Sequence, residues 1–297
     1  MIGRGIISWF VLVALPMALY GQQALVFQTD FGTKDGAIAA MKGVAFGVSP
    51  KLAMFDLTHE IEAFNIYEAA YRLHQAAPYW PAGTVFVSVV DPGVGTERKS
   101  VVLKTRTGHF FVTPDNGTLT LVARHMGVSE IRQIDEAVNR LKNSDQSYTF
   151  HGRDVYAFTG ARLAAGVITF EGVGPVVKGP VLLPIQEASL QGNQIVGHIT
   201  VLDPQYGNVW TNIDDGLLKK IGVVAGSKVH VELLHKGKLT YETTVPFVRT
   251  FGEVPVKSEL SYLNSLLQFS LAINQGNFAE VHEITGGVDW LVRITKQ

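Results

Sequence analysis

The 297-residue chain has no cysteine. Disulfides, a lipidated cysteine anchor and thiolate chemistry are therefore excluded. Charge is scarce as well, with 17% charged residues and a formal net charge of −1. No lysine–arginine cluster interleaves with aromatics, so the footprint that nucleic acid requires is missing and no nucleic-acid partner is expected. Tight metal-ligand spacings such as H-E-x-x-H or an EF-hand loop are absent, and no metal is expected. A Ser-His-Asp hydrolase of the nucleophile-elbow type would need G-x-S-x-G, which does not occur.

What is present is a globular composition, 46% hydrophobic, on a length that accommodates two domains. Residues 1–4 are short and basic, residues 5–19 are almost entirely apolar, and Ala18 to Gln22 offers small residues for cleavage. That is the form of a secretory signal over residues 1–21, too short for a comfortable membrane span. An uncleaved N-terminal anchor is the alternative. The expectation is an exported, periplasmic protein that leaves the membrane once the signal is removed.

Apolar runs at residues 24–29, 52–57 and 84–90 alternate with helical spacing at 37–48 and 65–77. This predicts an α/β domain over residues 22–175 with a mostly parallel central sheet. Residues 101–105 and 109–113 flank Thr107-Gly108 as a hairpin, residues 119–125 read as a helix, and 131–134 as a strand. Another helix is expected over 151–166. A Gly/Pro-rich stretch, 176–192, reads as a linker. Residues 193–297 carry β-type runs at 195–202, 229–234, 239–245 and 290–294, interrupted by an amphipathic stretch at 265–273, and predict a small β-barrel.

The run 84–90 is apolar and β-branched, as in a strand buried on both faces. It breaks into Asp91-Pro92-Gly93-Val94-Gly95, with Arg98 seven residues after Asp91. Loops at the carboxyl ends of strands in open α/β sheets are where ligands bind. A dinucleotide reading of this glycine turn fails on context, because residues 99–105 continue as a strand and supply no helix N-terminus. Further polar clusters follow apolar runs: Asp30 with Asp35; Asp115 with Asn116; His151, Arg153 and Asp154; and Asp203 through Asn212. Any one alone reads as a turn or cap; five at strand ends point to a composed site.

TDFGTKDG, VDPGVGTERKS, TPDNG, FHGRDV, DPQYGNVWTNI and YLNS occur in this order. Together they resemble the S-adenosyl-L-methionine hydroxide adenosyltransferase family, whose members hydrolyse S-adenosylmethionine to adenosine and methionine and are related to fluorinases and chlorinases. The resemblance implies a Rossmann-like N-terminal domain and a C-terminal β-barrel. It also implies a homotrimer with active sites at subunit interfaces, and S-adenosylmethionine as substrate without a cofactor. Carried over by motif, it makes Asp91, Arg98 and His151 the water-handling triad. Asp30 would hold the ribose diol, Asp203 the methionine ammonium, Ser265 the methionine carboxylate and Asn208 adenine, with Phe64 and Trp210 walling the ligand. After Ser265 this chain has Leu266-Leu267-Gln268, where the family often has a glycine. The halogenases resemble TYPATG and FYSRE where this chain has VDPGVG and FHGRD, so hydrolysis is expected over halogenation. A non-catalytic exported S-adenosylmethionine- or adenosine-binding protein, and another exported nucleoside-handling enzyme, are the alternatives.

A sulfonium leaves as a neutral thioether, so no acid is needed at sulfur. The site has only to aim a desolvated water at C5′. Asp91 and His151 are expected to accept or orient the water's protons, with Arg98 paired to Asp91.

Overall fold

The computed structural model describes residues 23–297; the signal expected at residues 1–21 lies outside them. The chain runs β1 (Leu25–Thr29), α1 (Ala37–Val48), β2 (Met54–Thr58), α2 (Ile66–Ala76), β3 (Val85–Val89), β4 (Ser100–Thr105) and β5 (Phe110–Pro114). Next come α3 (Thr120–Met126), β6 (Val128–Gln133), the short α4 (Glu136–Asn139), a π-helical turn over Gly152–Ala157 and α5 (Phe158–Ala164).

Two compact units form. One takes the described residues up to Phe64, Tyr79–Asn116 and Met126–Pro180; the other takes Asn65–Pro78, Gly117–His125 and Val181–Gln297. Two segments from the first half of the chain, α2 and most of α3, thus pack with the C-terminal unit.

The first unit is built on a six-stranded sheet of order β2-β1-β3-β5-β4-β6. The four strands β2, β1, β3 and β5 are parallel, while β4 runs antiparallel to β5 and β6. Every residue of β1 and β3 is buried, which is what a central parallel strand covered on both faces demands. Helix α1 turns Ile38, Met41 and Ala45 inward, at the spacing of one helical face. A Cβ on Gly160 of α5 would lie 2.4 Å from Val87 Cγ2. Glycine there lets the helix backbone close onto β3. The carboxyl ends of β1 and β3 deliver the loops that begin at Asp30 and Asp91.

In the second unit β7 (Ser189–Gln191), β8 (Gln194–Leu202), β9 (Val209–Asp214), α6 (Asp215–Lys220), β10 (Lys228–His235), β11 (Lys238–Pro246), β12 (Glu259–Leu263), β13 (Gln268–Ile273), α7 (Phe278–Val281) and β14 (Trp290–Lys296) follow in order. The sheet order is β11-β10-β14-β8-β9-β13-β12, with β7 added on β8. Strand β8 pairs with β14 through residues 194–198 and with β9 through Ile199–Leu202, across an irregular register. Such a bend curls a sheet. A parallel bridge between Phe247 and Ser261 brings its two ends together, so the antiparallel sheet nearly closes into a barrel.

The amphipathic interruption expected at 265–273 is instead a strand from Gln268 on. β13 lies between β9 and β12 and is buried from Phe269 to Ile273; Phe269, Leu271 and Ile273 alternate with Ser270 and Ala272, the period of two that marks a strand. Strands β9 and β12 were not expected from the sequence either. On this unit α2 sets Ala70 and Tyr71 against Leu121 and Val201, and Arg72 donates to the Leu202 carbonyl at 3.1 Å.

Candidate active site

Asp91 opens the loop after β3, Arg98 precedes β4, and His151 heads the π-helical turn, yet the three side chains meet. Arg98 Nε lies 3.0 Å from both Asp91 carboxylate oxygens, and Nη2 donates to Oδ2 at 2.6 Å. The same Nη2 lies 2.9 Å from His151 Nδ1. The ion pair is nearly sealed from solvent, with side-chain exposures of 10% for Arg98 and 5% for Asp91. Burial, the largest single influence, works against the charge on Arg98, but hydrogen bonding to Asp91 and the attraction of Tyr156, Asp91 and Glu136 together outweigh it and raise the Arg98 pKa. Burial pushes the His151 pKa down, and the neighbouring Arg98 charge pushes it further the same way.

These contacts assign the imidazole tautomer. A guanidinium has only donors, so Nδ1 must accept, and the neutral ring carries its proton on Nε2. Nε2 is buried and has no partner. His151 is among the residues lining a cavity of about 230 Å³, with Asp30, Phe31, Phe64, Asp91 and Gly152, among others. Asp91 Oδ1, engaged only by Arg98 Nε, keeps a lone pair for a further donor. The residues lining the cavity therefore include a carboxylate with a free lone pair and a neutral imidazole with an unused N–H.

Behind Arg98 stand two residues that the sequence reading did not single out. Nη1 donates to Ser100 Oγ at 3.1 Å, and Ser100 Oγ lies 3.1 Å from the Tyr156 hydroxyl. Ser100 closes the VDPGVGTERKS motif, the one signal that could have drawn attention to it.

Asp30, at the end of β1, accepts the backbone N–H of Phe64 at 2.9 Å. Phe64 has φ +69 and is 70% exposed. A left-handed, bare aromatic residue is a backbone outlier, and such outliers concentrate at ligand sites. The sequence-expected pair Asp30 and Phe64 is thus joined directly, on the same cavity as Asp91 and His151.

The remaining expected residues belong to the second unit. Asp203 caps a turn, its Oδ1 accepting from Gln205 N and Tyr206 N at 3.0 and 3.1 Å. Its Oδ2 is 3.4 Å from Asn208 Nδ2. Gly207 holds φ +63, and a Cβ there would fall 1.6 Å from Asn277 Oδ1, so the turn needs glycine. Asp203 and Asn208 line an open cleft of about 700 Å³ with Phe251, Tyr262, Asn274 and Asn277, among others.

Trp210 and Ser265 do not line that cleft. The Trp210 indole stacks on Tyr71, with centroids 6.2 Å apart, and donates to the Tyr262 hydroxyl at 3.2 Å. It buttresses the wall through Tyr262. Ser265 is exposed on a turn tied by Asn264 Oδ1, which accepts from Leu266 N and Gln268 N. Leu267 completes the turn at φ +57, a conformation glycine takes without strain.

A six-stranded, mostly parallel sheet with polar loops at its strand ends, joined to a nearly closed barrel that bears its own cleft, defines a ligand-handling protein of the α/β class. Comparison with known proteins narrows that class. The chain belongs to the SAM hydroxide adenosyltransferase family, whose N-terminal domain matches residues 25–174 and whose C-terminal domain matches residues 197–291. It is 33% identical to the (R)-S-adenosyl-L-methionine hydrolase of Salinispora tropica over 88% of this chain and 94% of that protein. It is 47% identical to the (R)-S-adenosyl-L-methionine hydrolase of Methanocaldococcus jannaschii, a match spanning 47% of this chain and about half, 52%, of that protein. A fluorinase from Actinoplanes sp. is 26% identical over 94% of this chain and all of that protein. Among solved structures, an uncharacterized conserved protein from Thermotoga maritima superposes with a TM-score of 0.84 at 34% identity, covering 91% of this chain and 99% of that one.

Proposed function

We propose that the protein hydrolyses S-adenosyl-L-methionine to adenosine and L-methionine. The observation that carries this reading is the buried Asp91–Arg98–His151 set at a small cavity, in a chain whose relatives at 33% identity and similar length are named (R)-S-adenosyl-L-methionine hydrolases.

Water in the cavity is held by two groups. The His151 Nε2–H donates to the water oxygen, and Asp91 Oδ1 accepts a water proton. The remaining lone pair on oxygen attacks C5′ in line with the C5′–S bond. As the C–O bond forms, the C–S bond breaks and its electron pair neutralises the sulfonium, releasing methionine. The oxygen's surplus proton passes to Asp91 and then to solvent. The tautomer gives His151 the orienting half of the role expected from the sequence and leaves Asp91 as the acceptor. Orientation and desolvation supply most of the acceleration, since the leaving group needs no help.

Asp30 offers its carboxylate to the ribose hydroxyls from the same cavity, beside Phe64. In the second unit Asp203 and Asn208 are suited to the methionine ammonium and adenine, while Ser265 is free to approach a carboxylate from its exposed turn. We propose further that the protein is exported to the periplasm after removal of residues 1–21. It would work as a homotrimer, with the triad cavity of one subunit completed by the Asp203–Asn208 cleft of a neighbour. No cofactor takes part in this scheme.

The decisive experiment incubates purified protein with S-adenosylmethionine, with and without chloride, and separates the products. Equal amounts of adenosine and methionine are expected in both cases. Chlorinated adenosine would replace the hydrolase reading with a halogenase one, and intact substrate with measurable binding would reduce the protein to a binder. Light scattering of the same sample tests the trimer.

A further inference from the structure

Building on the hydrolase reading, we propose that Ser100 and Tyr156 are positioning residues for the reaction: they fix the roll of the Arg98 guanidinium and thereby hold His151 in its Nε2–H form.

Asp91 and His151 both engage the Nε/Nη2 edge of Arg98. Contacts along one edge leave a planar group free to rock about it. Ser100 Oγ, 3.1 Å from Nη1, supplies a point off that edge, and three non-collinear points define a plane. Ser100 is itself immobile. It is buried and opens β4 opposite Pro114, and its carbonyl accepts Ile134 N at 2.8 Å.

Tyr156 reaches the guanidinium in two ways. Its hydroxyl lies 3.1 Å from Ser100 Oγ, and its ring lies 5.7 Å from Arg98 Cζ, within cation–π range. Arg98 can only donate, so Ser100 Oγ accepts from it and still holds a hydroxyl contact with Tyr156. Burial raises the Tyr156 pKa, which keeps the phenol neutral and unsuited to proton abstraction at physiological pH. Neither residue lines the cavity. Both act through Arg98.

The link to His151 is the shared donor. If the guanidinium rocks, Nη2 leaves Nδ1 and the ring becomes free to move its proton there, turning Nε2 from donor to acceptor. Other groups around the imidazole stay in place: Asp91 from the end of β3, Glu136 and Arg140 from α4 and the residue after it, and Tyr148 from the preceding loop.

The test compares wild type with Ser100→Ala, Tyr156→Phe and the rescue variant Ser100→Thr. Each is assayed for kcat and KM on S-adenosylmethionine across pH, and each gives imidazole ¹⁵N spectra after histidine labelling. Ser100→Ala is expected to lower kcat about tenfold with KM within about twofold. Its acid limb should move to higher pH, because a His151 less closely faced by Arg98 is easier to protonate. Tyr156→Phe should shift both readouts the same way, by about threefold in kcat, and Ser100→Thr should restore most of the rate. In the spectra, His151 Nδ1 should move from a fixed acceptor signal towards a tautomeric average in Ser100→Ala. A purely structural role would lower the melting temperature and leave kcat, acid limb and spectra of the folded enzyme unchanged. That result would overturn the proposal. A wild type unable to hydrolyse S-adenosylmethionine would sink the hydrolase reading alone, and the ¹⁵N comparison would still decide the positioning role.

Discussion

The two units hold their polar groups in opposite ways. In the first, Asp91, Arg98 and His151 lock one another in place through side-chain contacts, with Arg98 as the shared partner. The adjoining cavity, about 230 Å³, leaves room for little beyond the reacting end of a ligand. In the second, Asp203 is fixed by the backbone of its own turn and, with Asn208, borders a cleft of about 700 Å³. Side-chain locking suits a site where a proton and a nucleophile must be aimed within fractions of an ångström. Turn-based holding suits recognition, where backbone geometry presents donors and acceptors to a larger surface. The Asp91–Arg98–His151 set should therefore govern kcat, and the Asp203–Asn208 cleft KM.

That division can be broken most directly at Asp91. Asp91→Asn removes the acceptor and keeps the shape, so kcat should fall by about 10²–10⁴-fold while KM stays within about threefold. A KM effect larger than the kcat effect would merge the two roles. At His151 the tautomer makes a sharper distinction. His151→Gln, whose amide can accept from Arg98 and donate to water, should remain within about tenfold of wild type, whereas His151→Ala should lose about a hundredfold. Equal loss in both would make the imidazole a base instead.

Wild-type activity should fall only below the usual imidazole range, around pH 6.5, since burial and then Arg98 lower the His151 pKa. The sign follows from Nδ1: protonation there would set a donor against the Arg98 donor and place two positive charges side by side. A pH–rate profile whose acid limb lay above the ordinary histidine range would contradict this arrangement. In the second unit, Asn208→Ala should raise KM about tenfold and change kcat by less than about threefold; steady-state kinetics reads both. The smallest effect is expected at Phe64. Phe64→Gly relieves a left-handed backbone worth about 1 kcal/mol but adds freedom to the unfolded chain. The melting temperature should rise by no more than about 2–4 °C, while KM rises with loss of the exposed ring.

Much of the fold was legible because central parallel strands advertise themselves. The run ending at Val90 is apolar throughout, and the turn at Pro92-Gly93 stops it. Helix α1 begins and ends at its expected residues. The missed strands have a common cause, a polarity that does not follow burial: β9 buries Thr211 between Val209 and Ile213, β12 buries Ser261 between Leu260 and Tyr262, and β13 buries Ser270 between Phe269 and Leu271. Asp91, Arg98 and His151 could be proposed by motif, but not their order of contact. That depends on which edge of Arg98 faces which partner, a property of three stretches of backbone, Arg98 and His151 alone lying 53 residues apart. Ser100 and Tyr156 escaped notice because a serine opening a strand and a tyrosine in a helix look like packing. Trp210 was expected at the ligand by motif alone; its contacts with Tyr71 and the Tyr262 hydroxyl could not be foreseen, because spacing does not encode which side of an indole meets which neighbour.

The π-helical turn over Gly152–Ala157 has a consequence for how the family can vary. Such a turn holds one residue more than an α-helical turn. The extra residue is taken up within the turn, so the segments on either side keep nearly the rotation they would have without it, and one residue can be gained or lost there with His151 still directed at Arg98. A deletion within α5, where the ladder is already α, would instead rotate everything upstream by about 100° around the axis and turn His151 away from Arg98. The turn is thus the place between His151 and α5 where this protein tolerates a change of residue count.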